Sequence, residues 1–378
     1  MAAVAMLALQ MACKRSVSTP PPVLLSTPLI GKSSAPAPTL PAESTAYPSP
    51  DITATYSPVP AILSPVEGSE APIFPISLAG PLSEPEAEIS GMAWHAGDLI
   101  LLPQYPERFG DGQTGGAFAI PQARIQAYMD GSSPEPIEAR PVTFIASGIT
   151  QRLPGYEGFE SIAIDGDRVY LTVETRPGEM LGYLVSGLIA ADNSTIALDL
   201  ANITPIPPQA PIPNFTDESL LVFGERLVSL YESNGAAVNP SPVAHLFDTG
   251  LQVQDNLPFP NVEYRITDIT PPDEYGRFWA INTFYPGDQA LQTETDPLFE
   301  EYGKGVSHQN SQNVERLVQF QFSEDGIVYS ETPPIQLVLS SDGVERNWEA
   351  IALLENRGFL IATDRYPTTI LAFIEYTE

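Results

Sequence analysis

Five segments of the chain repeat one arrangement of acidic, amide and hydroxyl residues that could bind a cation. In each segment a polar residue precedes two short apolar runs joined by a turn, and a second polar residue follows them. The two polar positions are 14 residues apart in four segments and 15 in the last. The first positions are Ser90, Glu160, Glu218, Asp268 and Glu349. The second positions are Gln104, Glu174, Glu232, Asn282 and Asp364.

These donors favour one class of metal ion. They are all oxygen donors without histidine or cysteine, which suits Ca²⁺ and disfavours zinc or copper. Seven carboxylates brought together cannot all ionise without a counter-charge. Protonation, pairing with Arg152, Arg265 and Arg346, or a bound cation would each supply a solution. We expect Ca²⁺ to bind at Glu160, Glu218, Asp268 and Glu349. The alternative is that these side chains cap neighbouring backbone amides.

The elements that must position these residues are strands. Apolar runs of four to eight β-branched and aromatic residues are broken by Gly, Pro, Asn and Asp, which is typical of β-structure. The repeats start 70, 58, 50 and 81 residues apart, as expected for four-stranded blades with variable loops. The sequence therefore predicts an all-β fold, a β-propeller over residues 71–378. It has five blades, or six if the 81-residue interval hides another.

The same pattern predicts how the ring closes and where the polar residues meet. The last repeat leaves room for only three strands before the chain ends, and the apolar run at 72–79 could supply the fourth. The first two strands of a blade are antiparallel. The start of the first strand and the end of the second therefore lie at the same rim, so both sets of polar residues are expected around one channel mouth.

The N-terminal part is predicted to be an export segment followed by a tether. Residues 1–12 are apolar apart from Gln10, too short to span a bilayer and similar to the apolar region of a signal peptide. Cys13, the single cysteine, follows it and resembles the lipidated cysteine of a bacterial lipobox. The alternative is an incidental free cysteine. Residues 14–70 contain 12 prolines among Ser, Thr and Ala, which predicts an extended tether.

Charge limits the partners of the protein. Lys and Arg number 17 and Asp and Glu number 47, so the formal net charge is −30. This excludes nucleic-acid binding through phosphate neutralisation and argues against docking of the folded surface on anionic lipid. We expect membrane attachment only through the lipid on Cys13, at the periplasmic side or the cell surface, and a monomer.

Three segments resemble a known family. Phe159-Glu-Ser-Ile-Ala-Ile-Asp-Gly-Asp-Arg-Val-Tyr-Leu, Ser90-Gly-Met-Ala and Asn347-Trp-Glu-Ala-Ile-Ala-Leu are similar to motifs of the "esterase-like activity of phytase" family of secreted or periplasmic β-propellers. The resemblance covers roughly residues 75–375. Ser161, Ser219 and Ala350 stand where the family often has glycine.

The resemblance implies hydrolysis of phosphate esters or other esters, with Glu160, Glu218, Asp268 and Glu349 around the channel. The chain has no G-x-S-x-G, S-x-x-K, H-E-x-x-H or Walker motif, so hydrolysis would have to be metal-assisted, with arginines holding the phosphate. Two functions stay open. One is a metal-dependent phosphoesterase or esterase. The other is a non-catalytic binding or scaffold propeller of the cell envelope that presents its rim to a small-molecule ligand or partner.

Overall fold

The computed structural model describes residues 70–364 and 369–377. Strands make up most of the regular secondary structure in this part, and the few helices are short, which confirms the all-β prediction. The predicted export segment at 1–13, with Cys13, and nearly all of the predicted tether lie outside the described residues. Among the described residues, no helix is long and apolar enough to span a membrane.

Two four-stranded sheets, here called sheets 1 and 2, join into one continuous eight-stranded sheet. The chain enters through β1 (Ile73–Ile76) and β2 (Leu78–Ala79), and β2 pairs with the short β6 (Ile137–Glu138). Sheet 1 contains β3 (Ile89–His95), β4 (Asp98–Pro103), β5 (Gly115–Pro121) and β7 (Arg140–Ile145). Sheet 2 contains β8 (Tyr156–Asp165), β9 (Arg168–Thr175), β10 (Leu181–Ile189) and β11 (Thr195–Ile206). The two sheets join along their last strands, where β7 and β11 pair in parallel.

Three further sheets follow in chain order. Sheet 3 contains β12 (Asp217–Phe223), β13 (Arg226–Tyr231), β14 (Val243–Asp248) and β15 (Leu257–Pro258). Sheet 4 contains β16 (Arg265–Ile269), β17 (Arg277–Phe284), β18 (Val314–Ser323) and β19 (Gly326–Tyr329), with β20 (Ile335–Gln336) also paired to β18. Sheet 5 contains β21 (Trp348–Leu354), β22 (Gly358–Thr363) and β23 (Leu371–Glu375).

The N-terminal strand completes sheet 5. β1 pairs antiparallel with β23, and Ile73 lies opposite Ile374, so the pairing expected from the 72–79 run is present. The helices all lie in connections between strands. They are α1 (Gln122–Met129), α2 (Ile149–Arg152), α3 (Pro297–Tyr302) and four 3₁₀ turns at Gly80–Ser83, Pro85–Ala87, Pro106–Phe109 and Pro286–Leu291.

The first strands of the five sheets, β3, β8, β12, β16 and β21, are called the ring strands here. Each packs beside the next, and β21 packs beside β3. The large apolar clusters fill the spaces between successive sheets, from sheets 1 and 2 round to sheets 5 and 1. The ring strands approach closely. A Cβ on Gly91 in β3 would lie only 3.0 Å from the backbone nitrogen of Ile162 in β8.

Candidate functional site

A bulge in each ring strand determines which residue occupies the repeated polar position. In four ring strands the pairing with the second strand shifts at Ser90, Glu160, Glu218 or Glu349, so that residue is the extra one. In β16 the shift falls between Ile266 and Ile269. Two hydroxyl groups locate the equivalent position there.

Ser90 and Thr267 make the same contact with the following ring strand. Ser90 Oγ donates to the carbonyl of Phe159 at 2.7 Å, and Thr267 Oγ1 donates to the carbonyl of Trp348 at 2.6 Å. Each carbonyl belongs to the residue before a ring glutamate, Glu160 or Glu349. The position in β16 that corresponds to the glutamates is therefore Thr267, and Asp268 lies one residue further along.

Six carboxyl groups from sheets 2, 3 and 5 lie together and form what we call the acidic mouth: Glu160, Glu174, Glu218, Glu232, Glu349 and Asp364. Each of the five glutamates is affected electrostatically by at least one other member. The four glutamates of sheets 2 and 3 are buried, whereas Glu349 and Asp364 are half-buried. The predicted meeting of the first and second positions at one rim therefore holds for these six residues.

Burial is the main reason that these carboxyl groups resist ionisation. It raises the pKa of Glu160, Glu218 and Glu349 well above the ordinary value, and the charges of neighbouring carboxylates raise it further. Burial also raises the pKa of Glu174 and of Glu232, each to about 7. Several members of the acidic mouth therefore ionise less readily than an exposed carboxyl group.

Two of the carboxyl pairs are joined directly by a hydrogen bond. Glu160 bonds to Glu174, and this hydrogen bond favours the ionised form of Glu174. Glu218 bonds to Glu232 in the same way. Oε1 of Glu174, Oε2 of Glu218 and Oε2 of Glu232 are buried and accept no hydrogen bond from an N–H or hydroxyl donor among the described residues. A proton held between two carboxyl groups, or a cation, is what remains to satisfy these oxygens.

Arg265 pairs directly with the acidic mouth and offsets part of its charge. Its Nη1 lies 2.8 Å from Oε1 of Glu232, and its Nε donates to Oδ2 of Asp288 at 2.6 Å. The guanidinium also lies 4.6 Å from the ring centre of Phe215. The nearby carboxylates hold the pKa of Arg265 above its already high value. Arg265, which lies three residues before Asp268 in the sequence, is therefore already engaged with two carboxylates.

The other two candidate arginines lie elsewhere. Arg346 precedes β21 and turns to Glu315 in β18, where Nη2 and Oε2 are 2.7 Å apart. Its guanidinium lies over the ring of Trp348. Arg152 is exposed at the end of α2 and forms no ion pair with a carboxylate among the described residues. Neither joins Arg265 in balancing the carboxylates of the mouth.

The remaining predicted positions divide between the mouth and the framework. Gln104 belongs to the mouth, because its Nε2 donates to Oε1 of Glu160 at 3.1 Å. Asn282 instead supports the backbone. Its Nδ2 donates to the carbonyls of Glu263 and Arg265, and its Oδ1 accepts from Nε of the buried Arg316.

Asp268 connects three ring strands rather than joining the carboxyl cluster. Its Oδ2 accepts from the backbone nitrogen of Ile351 at 2.9 Å, and its Oδ1 lies 3.4 Å from Oγ of Ser161. Burial raises its pKa well above the ordinary value. Asp268 therefore fastens β16 to β8 and β21 through its hydrogen bonds, a role that the repeat alone did not reveal.

The predicted calcium ligands do not form a ready-made cage. Within residues 70–364 and 369–377, no group of three or more Asp, Glu, His or Cys side chains is arranged to hold a metal ion. Asp268 is held by its own hydrogen bonds, and the carboxyl groups of sheets 2 and 3 are occupied in pairs. A metal ion at this mouth would have to separate these pairs and displace their protons.

Comparison with known proteins gives only distant similarities. No family model matches the chain, and no curated protein matches it. A glucose dehydrogenase structure is 12% identical, covers 79% of this chain and 99% of its own, and has a TM-score of 0.44. The soluble aldose sugar dehydrogenase of Escherichia coli is 9% identical, covers 78% and 98%, and has a TM-score of 0.42. A GH43_1 enzyme from Xanthomonas citri, complexed with xylose, is 11% identical, covers 81% and 90%, and has a TM-score of 0.43.

Proposed function

We propose that the described domain is a five-bladed β-propeller whose acidic mouth binds a cation in exchange for protons. The five ring strands that pack in a closed order support the blade count. The long interval before β21 supports it too. Its described strands β18, β19 and β20 all pair within sheet 4, so no described strand is left over for a sixth blade.

One observation carries the cation proposal. Six carboxyl groups meet at the acidic mouth, and those of Glu174, Glu218 and Glu232 each have a buried oxygen that accepts no ordinary hydrogen bond among the described residues. Arg265 is shared with Asp288. Protons neutralise the cluster when no ligand is bound. A cation can replace them, because each carboxyl group that loses its proton supplies an oxygen ligand.

Ca²⁺ is the first candidate ligand. All the donors are oxygens, and Ca²⁺ accepts six to eight of them in flexible geometry. Residues with a pKa of about 7, Glu174 and Glu232, set the pH range of the exchange. The affinity is therefore expected to rise steeply between pH 6 and pH 8, and binding is expected to release protons.

Titration calorimetry of the EDTA-stripped protein with CaCl₂ at pH 7 tests this proposal. The binding enthalpies measured in PIPES and in Tris differ by the number of protons released multiplied by the difference between the ionisation enthalpies of the two buffers. We expect saturable binding with at least one proton released, and a loss of affinity of at least tenfold in Glu218→Gln. The matched control is Glu179→Gln, an exposed glutamate outside the mouth. No binding at pH 8, or equal binding by both variants, would contradict the proposal.

Hydrolysis is the second candidate function, and the carboxyl groups that titrate near neutrality favour it. A group with a pKa of about 7, such as Glu174, can act as general acid or base at physiological pH. The acidic surroundings disfavour an anionic phosphate ester, and Arg346, which pairs with Glu315, is not at the mouth to bind one. A neutral ester therefore fits the mouth better. Turnover of p-nitrophenyl acetate and p-nitrophenyl phosphate, with and without Ca²⁺ and in Glu174→Gln, tests this. Ca²⁺ binding without turnover of either would favour the non-catalytic scaffold.

The cellular location of the protein is expected to follow from its N-terminal segment. We propose that the protein is monomeric, lies outside the cytoplasm and is held to a membrane through a lipid on Cys13. The replacement Cys13→Ser should move the protein from the membrane fraction to the soluble fraction of the expressing cells.

A further inference from the structure

The end of the ring opposite the acidic mouth contains an apolar cavity. Each ring strand starts at the acidic end, and its last residues line this cavity, whose volume is about 400 Å³. We call it the apolar cup. All five ring strands contribute, with Trp94, Ile162, Leu220, Ile269, Ala352 and Leu353 among the lining residues.

The cup is separate from the acidic mouth. Asp268 accepts a hydrogen bond from Ile351 on the neighbouring ring strand β21 and contacts Ser161 on β8. Each of these three residues directly precedes a residue that lines the cup, namely Ile269, Ala352 and Ile162. A layer of hydrogen-bonded groups therefore lies between the two ends, and a ligand in the cup would not touch the carboxyl pairs.

The chemistry of the cup selects an uncharged apolar ligand. Ile162, Leu220, Ile269 and Ala352 are almost completely buried aliphatic side chains. The indole N–H of Trp94 is already bonded to the carbonyl of Leu353 at 2.6 Å, so it is not available to a polar ligand. Among the lining residues the only ionisable side chain is the exposed Asp165, which would repel an anion, as would the net charge of −30.

We propose that the apolar cup binds a small uncharged apolar molecule. An apolar cavity of about 150 Å³ is sufficient to bind benzene, so the cup has room for two or three rings or a short alkyl chain. Its volume is also within the range of natural small-molecule sites, about 300–1,000 Å³. Leu353 stands at the rim with 38% of its surface exposed, and a ligand would cover it.

Fluorescence of N-phenyl-1-naphthylamine, an uncharged apolar probe, tests the proposal with the full chain. We expect saturable binding of one probe per protein, with energy transfer from tryptophan because Trp94 lines the cup. Leu353→Asp puts a charge on the rim at an already exposed position, and Ala352→Phe fills the cavity. Each should weaken binding at least tenfold. The matched control is Leu188→Asp, because Leu188 is 60% exposed and lies outside the cup.

The outcomes separate this proposal from the cation proposal. Binding should be unchanged by Ca²⁺ and by Glu218→Gln, because neither acts on the cup. Folding of Leu353→Asp is checked by its circular dichroism and unfolding temperature, so the proposal does not depend on Ala352→Phe being stable. Non-saturable binding, or equal affinity in the wild type, the folded Leu353→Asp variant and the control, would overturn the proposal.

Discussion

Replacing Glu174 by glutamine should stabilise the domain at alkaline pH and have no effect at acid pH. The native pKa of Glu174 is about 7, against an ordinary value of 4.5. A raised acid pKa means that the native state holds the proton more tightly than the unfolded state. Below pH 4.5 both states are protonated, and the residue has no effect on the free energy of unfolding. As pH rises from 4.5 to 7, only the unfolded state loses the proton, so stability falls.

The size of the effect follows from the shift. One pKa unit corresponds to about 1.4 kcal/mol, so ionised Glu174 costs about 3 kcal/mol above pH 7. Glutamine keeps the shape, cannot ionise, and can still accept the hydrogen bond from Glu160. At pH 8 the variant should therefore be more stable by about 3 kcal/mol, or roughly 6 °C in Tm at the low end of the usual conversion for domains above 150 residues.

Urea unfolding in EDTA, followed by tryptophan fluorescence at pH 4.5, 6, 7 and 8, measures this difference. EDTA matters because a bound cation would stabilise the ionised form and reverse the sign. Glu179→Gln is the matched control and should leave the curve unchanged. A variant that is no more stable than the wild type at pH 8, or whose advantage persists undiminished at pH 4.5, would refute the reasoning.

Three further outcomes test other parts of the ring. Arg265→Met should destabilise the domain by about 3 kcal/mol at pH 8, because it leaves buried Glu232 uncompensated; adding Glu232→Gln should restore most of the loss in urea unfolding. Asp268→Asn should be tolerated because it can still accept from Ile351, whereas Asp268→Ala should cost about 1–3 kcal/mol in the same assay. Gly91→Val should lower Tm by several degrees through overpacking against the next ring strand, and an unchanged Tm would show that β3 has room to move.

The sequence was sufficient for the fold class and for most of the mouth, because alternation and turn residues are local signals. It misassigned the repeat in sheet 4 for a geometric reason. A constant spacing of 14 assumes hairpins of equal length, such as the two-residue turn between Asp165 and Arg168. The connection from β16 to β17 is longer, so Thr267 and Thr283, 16 residues apart, take the two positions assigned to Asp268 and Asn282.

Charge pairing was harder to predict than strand position. Arg265 and Arg346 both stand three residues before a repeated acidic position, yet only Arg265 reaches the mouth. Arg346 lies in the connection before β21 and pairs with Glu315 on sheet 4. The partner of a long side chain depends on which sheet lies beside the connection, and no local pattern contains that information. The pKa values of the carboxyl groups depend likewise on burial that only the folded ring creates.

Two of the five ring strands have a small hydroxyl residue where the other three have a glutamate. Ser90 and Thr267 occupy the same bulged position as Glu160, Glu218 and Glu349, and their hydroxyl groups fasten each strand to the next with a short hydrogen bond. A small neutral side chain therefore satisfies the geometry. The glutamates instead place carboxyl groups where burial opposes their charge, which reduces stability at neutral pH. Carboxyl groups that lower stability, at a position where a hydroxyl residue also fits, are best explained by a ligand that needs them. The ring glutamates meet both conditions, which is the strongest reason to test the acidic mouth for cation binding first.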